Sequence, residues 1–401
     1  MITLGVETDA SGSQDSIYGA VGVKGVATGP VKDEYQAVIA FINAHGGMAG
    51  RKVQALTYET DSTSGTFASQ AQAVCANFTQ DHQVFAAMVS GNTDQNLLSS
   101  CLAQAQTPSL WEFVSAFDQA ELNRLAPYVY VPPQLDLSRL GVWIDQLAAL
   151  GYFDKGAKIG MVRWDDPIQK RASDTVVKPR LAAHGLALTA EYAMGVSETG
   201  SEADVISSYS TEANNAILRF RSEGIDHVLS LADPAIGVLF MTPAQSQGYR
   251  PRYGLNSLDF TDIAQDNAPS GQLHRAVSVG WAPTRDVEVA QDPGATPMTA
   301  LCNKIFRAAG LNIPGQTAED RALGACDALF FLKTALDRAH DLTPAGLRAA
   351  VDSLGTSYQS PYTFSTNFGP GRFDGASSVR GVEFDDGCAC FRYVTGAIPA
   401  P

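Results

Sequence analysis

The feature that most limits what this chain can fold into is its rhythm. Short apolar runs alternate with longer segments whose apolar residues fall three and four apart. Residues 2–6 read as a strand, and across 32–44 the side chains Tyr35, Val38, Ile39 and Ile42 make one helical face. Gly46-Gly47 then supplies a helix stop. Strand 53–58, helix 67–78, strand 84–89, helix 92–105 and strand 109–114 follow. Strands that are apolar throughout, separated by amphipathic helices, imply a parallel sheet covered on both faces.

The rhythm restarts after Pro132-Pro133. A helix carrying Leu140, Trp143, Ile144 and Leu147 precedes strand 158–163, a helix to about residue 184, strand 186–192, helix 203–222, strand 227–231 and a helix from 235. Beyond these, 276–281 reads as a strand and 286–297 as a Pro/Asp-rich loop; 298–309, 318–339 and 344–354 read as helices, and the tail from 360 ends in strand 389–394. A chain of 401 residues is long enough for two cores, and the expected fold is α/β with two doubly wound parallel-sheet lobes.

Charge and motifs exclude several classes. The formal net charge is −14, without a Lys/Arg cluster of the kind that neutralises phosphates, so nucleic acid is not an expected partner. No phosphate-cradling loop, dinucleotide fingerprint, H-E-x-x-H or G-x-S-x-G elbow occurs, and neither Cys nor His stands at zinc spacing. No metal, cofactor or catalytic residue is expected. Carboxylates are plentiful, which leaves a carboxylate-based hydrolase as the enzyme alternative.

The six cysteines fall in pairs that are local in sequence, pointing to disulfides Cys75–Cys101 and Cys302–Cys326 in an oxidising compartment. Cys388 and Cys390 would close a very short ring, and sequence leaves their pairing open. The chain opens on strand residues with no basic and apolar leader. That fits a cytoplasmic protein or an exported one whose signal has been removed.

The run Phe41-Ile42-Asn43-Ala44-His45-Gly46-Gly47-Met48-Ala49-Gly50-Arg51-Lys52-Val53 resembles the "IN..GGI.GRK" helix-to-strand turn of the leucine/isoleucine/valine-binding protein family. Around it stand a Ser/Gly loop from Asp9 to Tyr18, the acidic strand end Tyr58-Glu59-Thr60-Asp61 and the strand end Ser90-Gly91-Asn92-Thr93. Later come Ile225-Asp226-His227-Val228 and Gly248-Tyr249, in the family's order. The resemblance implies a type I periplasmic binding fold with three crossings near Pro132, Asn256 and Thr356. Lobe one would comprise 1–127 and 257–354, and lobe two 128–256 and 355–401. It implies a monomer outside the cytoplasm (periplasmic or anchored at the cell surface) that closes on a small solute and hands it to an ABC permease. A ligand-sensing receptor ectodomain of the same fold is the alternative.

Ligand would lie between the lobes, at residues just past strand C-termini. Ser90, Gly91, Asn92 and Thr93 offer N–H groups and hydroxyls for an acceptor, and Asn92 or Thr93 also fits an ordinary N-cap. Trp111, Glu112 and Phe113 correspond to a pocket-lining loop, although Trp111 also suits a core. Trp164 and Asp165, with Asp166 before Pro167, stand where the second lobe closes over ligand or caps a helix. Tyr18, with a surface role as its plain alternative, Asp233, with a helix cap as its own, and Trp281, at a strand end in the second part of lobe one, complete the set. Amino-acid binders of the family carry an acid near the second crossing to pair with the ligand ammonium. This chain has Asn256 there, with Asp259 or Asp233 as possible substitutes. The expected solute is therefore bulkier, ring-bearing or apolar.

Overall fold

The computed structural model describes residues 1–10, 18–19, 22–61, 63–90, 93–112, 116–195, 202–231, 239–288, 291 and 296–401. Two sheets organise the chain. The first contains β1 (Ile2–Asp9), β2 (Val53–Thr60), β3 (Ala86–Val89), β4 (Ser109–Trp111) and β5 (Val129–Tyr130) in the order β2-β1-β3-β4-β5. All its pairings are parallel. The second contains β6 (Ile159–Trp164), β7 (Leu188–Met194), β8 (His227–Ser230), β9 (Arg252–Asn256) and β10 (Val277–Gly280) in the order β7-β6-β8-β9-β10. Each sheet therefore steps from its first strand to the second on one side and to the third on the other. Both carry the same doubly wound topology, with a switch point between their first and third strands.

The second sheet is extended beyond its parallel core. β11 (Ser378–Asp385) pairs antiparallel with β10, β12 (Cys390–Tyr393) pairs antiparallel with β11, and β13 (Ile398–Pro399) pairs with the start of β11. The sheet is mixed because a hairpin from the C-terminal tail closes its edge.

The helix-to-strand motif shows why its residue types are needed. The helix Val31–Ala44 buries Tyr35, Val38, Ile39 and Ile42. It stops where Gly46 and Gly47 take φ of 97° and 77°, and the Gly47 N–H returns to the Ile42 carbonyl at 2.8 Å. The Asn43 side chain then accepts from Val53 N and donates to Val53 O, both at 2.8 Å, fixing the start of β2. A Cβ on Gly47 would stand 2.0 Å from the Arg51 carbonyl oxygen, whereas one on Gly46 meets nothing within 4 Å. Gly47→Ala is expected to cost about 2–4 kcal/mol, and Gly46→Ala only the left-handed backbone cost of about 1–2 kcal/mol. Urea unfolding of the two variants checks this; equal losses would mean the carbonyl contact is irrelevant.

Cys75–Cys101, Cys302–Cys326 and Cys388–Cys390 are all disulfides. The first ties the helix Phe67–Ala76 to Gln95–Gln104, and the second ties Pro297–Ala308 to Gln316–Leu336. The expected 286–297 loop is preceded by a short helix, Pro283–Asp286.

Two crossings lie side by side. Val131 forms a bridge with Asp374, and Asp136 N donates to Asp374 Oδ2 at 3.1 Å. β5 belongs to the first sheet although it lies past residue 127. β10, expected in the second part of lobe one, is instead paired in parallel with β9, Val277 against Gly254. The turn Ser257–Asp259 and the helix Thr261–Asn267 lead from β9 back to the same sheet at β10. Nothing in residues 253–257 marks this, because a crossing and an ordinary strand-to-helix turn use the same residue types.

Candidate functional site

The strand ends at the two switch points face each other. On the first sheet, β1 ends in Glu7-Thr8-Asp9 and β3 runs into Ser90. Glu7 is fully buried, and its Oε2 accepts from Ser90 N at 2.8 Å and Ser90 Oγ at 2.6 Å, while Thr60 Oγ1 donates to Oε1 at 3.2 Å. Burial pushes the Glu7 carboxyl upward, and the Ser90 bonds partly offset the rise. Ser90 thus spends its proton on Glu7 and presents only oxygen lone pairs to anything else along that direction.

Thr93 is buried, and its hydroxyl has no hydrogen-bond partner. The cap of the helix Gln95–Gln104 is Asp94, which accepts from Leu97 N at 2.9 Å, rather than Asn92 or Thr93. Gly91 and Asn92, like Phe113 and Asp233, lie outside the described residues.

On the second sheet, Trp164 ends β6 half-buried, with its ring edge-on to Tyr209 at 4.7 Å. Asp165 is exposed, 4.0 Å from the Arg163 guanidinium. Asp166 caps the helix Pro167–Ala172 through Ile168 N and Gln169 N. Its other oxygen accepts from Asn96 Nδ2 at 3.2 Å, which joins a helix start of the first lobe to one of the second. Tyr18, from the first strand-to-helix connection, packs against the core cluster of the second sheet that also receives Trp164, and against Val23, Phe260 and Ile263. Helix starts and aromatic side chains thus meet where the strand ends of the two sheets approach.

Several expected site residues lie elsewhere. Trp111 is fully buried, donates from Nε1 to Ser109 Oγ at 3.1 Å and meets Phe117 edge-on. Trp281 is buried in the same core, and its backbone N–H donates to Ser257 Oγ at 2.7 Å. Both indoles fill the interior. Asn256 is also buried and closes a turn: Oδ1 accepts from Leu258 N, Nδ2 donates to Ser230 O, and its backbone N–H donates to Asp259 Oδ2. Asp259 accepts from Ser230 Oγ as well. Asn256 and Asp259 are thus both engaged in the turn that follows β9.

Glu112 lies under the first-sheet wall, where a Cβ added to Gly324 would come within 3.3 Å of its own Cβ. It is buried, its Oε1 has no partner, and burial followed by repulsion from Glu7 drives its carboxyl well above the ordinary range. Burial therefore favours the protonated form of this carboxyl over an ionised one. Sequence reading missed Glu7 and Tyr209. An acid inside an otherwise apolar strand was the available signal for Glu7, whereas Tyr209 sits in a helix with no local cue.

Two sheets of one topology, in contact through the helix starts at their strand ends, are the architecture of a two-lobed α/β protein. The chain belongs to the periplasmic binding protein family, whose model matches residues 2–387. Among curated proteins none matches it in sequence. The fold is shared with a branched-chain amino acid ABC transporter protein from Thermus thermophilus with bound valine, at 15% identity and TM-score 0.66, covering 99% of this chain and 96% of that one. A solute-binding protein from Rhodopseudomonas palustris BisB5, in complex with 3,4-dihydroxybenzoic acid, is similar at 14% identity and TM-score 0.66, with 100% and 97% coverage. A fatty acid ABC transporter substrate-binding protein from Thermomonospora curvata matches at 18% identity and TM-score 0.65, with 99% and 92% coverage. The family's proteins bind solutes outside the cytoplasm, and among the described residues no helix is long and apolar enough to cross a membrane.

Proposed function

We propose that this chain captures a small carboxylate with an apolar or aromatic body, closes over it by hinge motion and delivers it to an ABC importer. The observation that carries this reading is the composition of the crevice walls. Trp164 stands half-buried at the second switch point, backed edge-on by the buried Tyr209. At the first, a buried Thr93 hydroxyl stands without a partner. Three acids near the strand ends are poorly suited to an α-ammonium: burial drives Glu7 and Glu112 toward the neutral form, and Asp259 is committed to its turn. Fold neighbours carrying hydroxylated benzoic acids, and one named for fatty acids, support this class; the neighbour with bound valine supports the rival.

The lobes of this reading are residues up to about 131 with the segment from about 287 to 354, and about 135–282 with the tail, because β10 stays with the second sheet.

The test is a thermal-shift and calorimetry screen of 4-hydroxybenzoate, palmitate and valine on dialysed protein, with native mass spectrometry for a co-purified solute. A carboxylate of the first two kinds at about a hundred times Kd should stabilise by ~2.7 kcal/mol. Trp164→Ala should weaken it at least about tenfold, or ~1.4 kcal/mol. Preference for valine, or an unchanged Kd in the variant, would sink the reading.

A further inference from the structure

At the end of the second sheet remote from the crevice, four connections converge on the N-terminal edges of β6, β8, β9 and β10. They enclose a hollow of about 370 Å³. On a chain of net charge −14 its lining is locally positive: it carries Lys155, Arg250, Arg252 and Arg275 against Asp154 and Asp226, with Glu383 acting on Arg252 and Asp386 paired to His274 from outside the lining. We propose that this hollow is a second binding site, for a phosphate group, separate from the solute crevice.

The charges are not used up by the fold. Asp226 is occupied, accepting from Lys158 N at 2.9 Å and lying 2.6 Å from His227 Nδ1. Asp154 is half-exposed and shared loosely, 3.3 Å from Arg275, 4.0 Å from Arg252 and 3.7 Å from His227 Nε2. His227 itself is buried, and that Nε2 makes no hydrogen bond. Arg252 has a plain structural role, since Nη1 donates to the Gly151 and Tyr152 carbonyls, both at 2.7 Å, and Nε donates to Arg275 O. Lys155 and Arg250 form no ion pair among the described residues, and Arg250 instead donates to the neutral side chain of Gln245. Arg275 is held on a left-handed backbone, φ 63°, uncommon for a non-glycine residue and a place where the fold tolerates a local cost. Burial and the nearby Arg275 both push the Arg252 guanidinium downward, so two cations are crowded without a full counter-charge.

A phosphate fits this arrangement better than a carboxylate. Its tetrahedral oxygens reach donors in several directions and its double charge answers more than one cation, whereas a carboxylate offers two coplanar oxygens and one charge. A free phosphate compound and a phospholipid headgroup share the tetrahedral anionic oxygens, although the headgroup diester carries a single charge.

The experiment uses the full chain at neutral pH and constant ionic strength. Inorganic phosphate is titrated against chloride by thermal shift and calorimetry. Sedimentation with vesicles of phosphatidylglycerol and phosphatidylcholine is compared with phosphatidylcholine alone. The exposed residues are changed in Lys155→Gln/Arg275→Gln, whose melting in chloride reports that the fold is kept. Trp164→Ala is the crevice control. Saturable phosphate binding, weakened at least about tenfold in the double variant and unaltered in Trp164→Ala, is the expected result for a free anion. Double-variant-sensitive binding to the anionic vesicles alone assigns the headgroup as the source. Stabilisation by phosphate no greater than by chloride together with no vesicle binding overturns the proposal, as does equal binding by the double variant.

Discussion

Replacing Arg285 by alanine is expected to cost about 3–5 kcal/mol of stability, among the largest single losses available in this chain. Arg285 and Asp320 form an ion pair at 3.2 Å in which both side chains are almost wholly buried, 1% and 2% exposed. The guanidinium lies over the rings of Phe260 at 4.2 Å and Tyr362 at 4.9 Å. Asp320 also accepts from Thr284 Oγ1 at 2.7 Å and from the Tyr362 hydroxyl. Removing the cation leaves a carboxylate with two neutral donors and no counter-charge, the costly half of breaking a buried pair. Its location adds a functional consequence. Arg285 follows β10 of the second sheet, Asp320 stands on the helix Gln316–Leu336 that packs against Val31–Ala44 in the first lobe, and Tyr362 lies in the last connection between lobes. The group therefore ties the segment after β10 of the second sheet to a helix packed on the first. Denaturant unfolding of Arg285→Ala, Asp320→Ala and the double variant gives the cycle. The double variant should lose well under the sum of the singles, and scattering should show a more open ligand-free chain for Arg285→Ala. Additive losses would mean the two residues act separately.

Periodicity made the scaffold legible. Tyr35, Val38, Ile39 and Ile42, which share one helical face in the sequence, are all buried, and the glycine stop, the next strand and the two local disulfides stand where the sequence places them. The ends of strands were legible as positions but not as directions. Trp164 is half-buried while Trp111 and Trp281, equally close to strand ends, fill the interior, because burial there depends on what the following loop and the other sheet lay over the side chain, which local sequence does not encode. The cap shifts by a residue for a similar reason: Asn92, Thr93 and Asp94 all suit an N-cap, and Asp94 takes it. The partners of Glu7 and Asn256 were out of reach, because each meets groups from other strands, and composition does not encode such pairings.

Stability should fall as pH rises from about 5 to about 8, the reverse of what an acidic chain rich in paired surface carboxylates would show. The cause is a set of acids buried without adequate counter-charge. Burial raises Glu34 to about 8, and Asp286 and Asp327 each to about 7. Asp136, buried beside Asp374, is likewise raised to about 7, and Glu7, Glu112 and Asp262 move in the same direction. In the unfolded chain these groups lose their protons near pH 4. Between about pH 4 and their raised folded values, the native state holds protons that the unfolded state has released, and stability declines with pH by about 1.4 kcal/mol per pH unit for each such proton. Opposite behaviour is confined to lower pH: hydrogen-bonded lysines at 170 and 178 hold Asp174 at about 2, so its contribution is present above about pH 4 and lost on further acidification. The two windows place the optimum on the acid side of neutrality. Thermal melts across this range should give a midpoint several degrees higher near pH 5.5 than near pH 8. Glu34, whose two carboxylate oxygens have no hydrogen-bond partner, supplies the control. Glu34→Gln removes one of the titrating groups, so its stability should depend less steeply on pH above about 6 than that of the parent. A midpoint that is flat or rises with pH would mean these acids are ionised inside the folded chain and matched by charge after all.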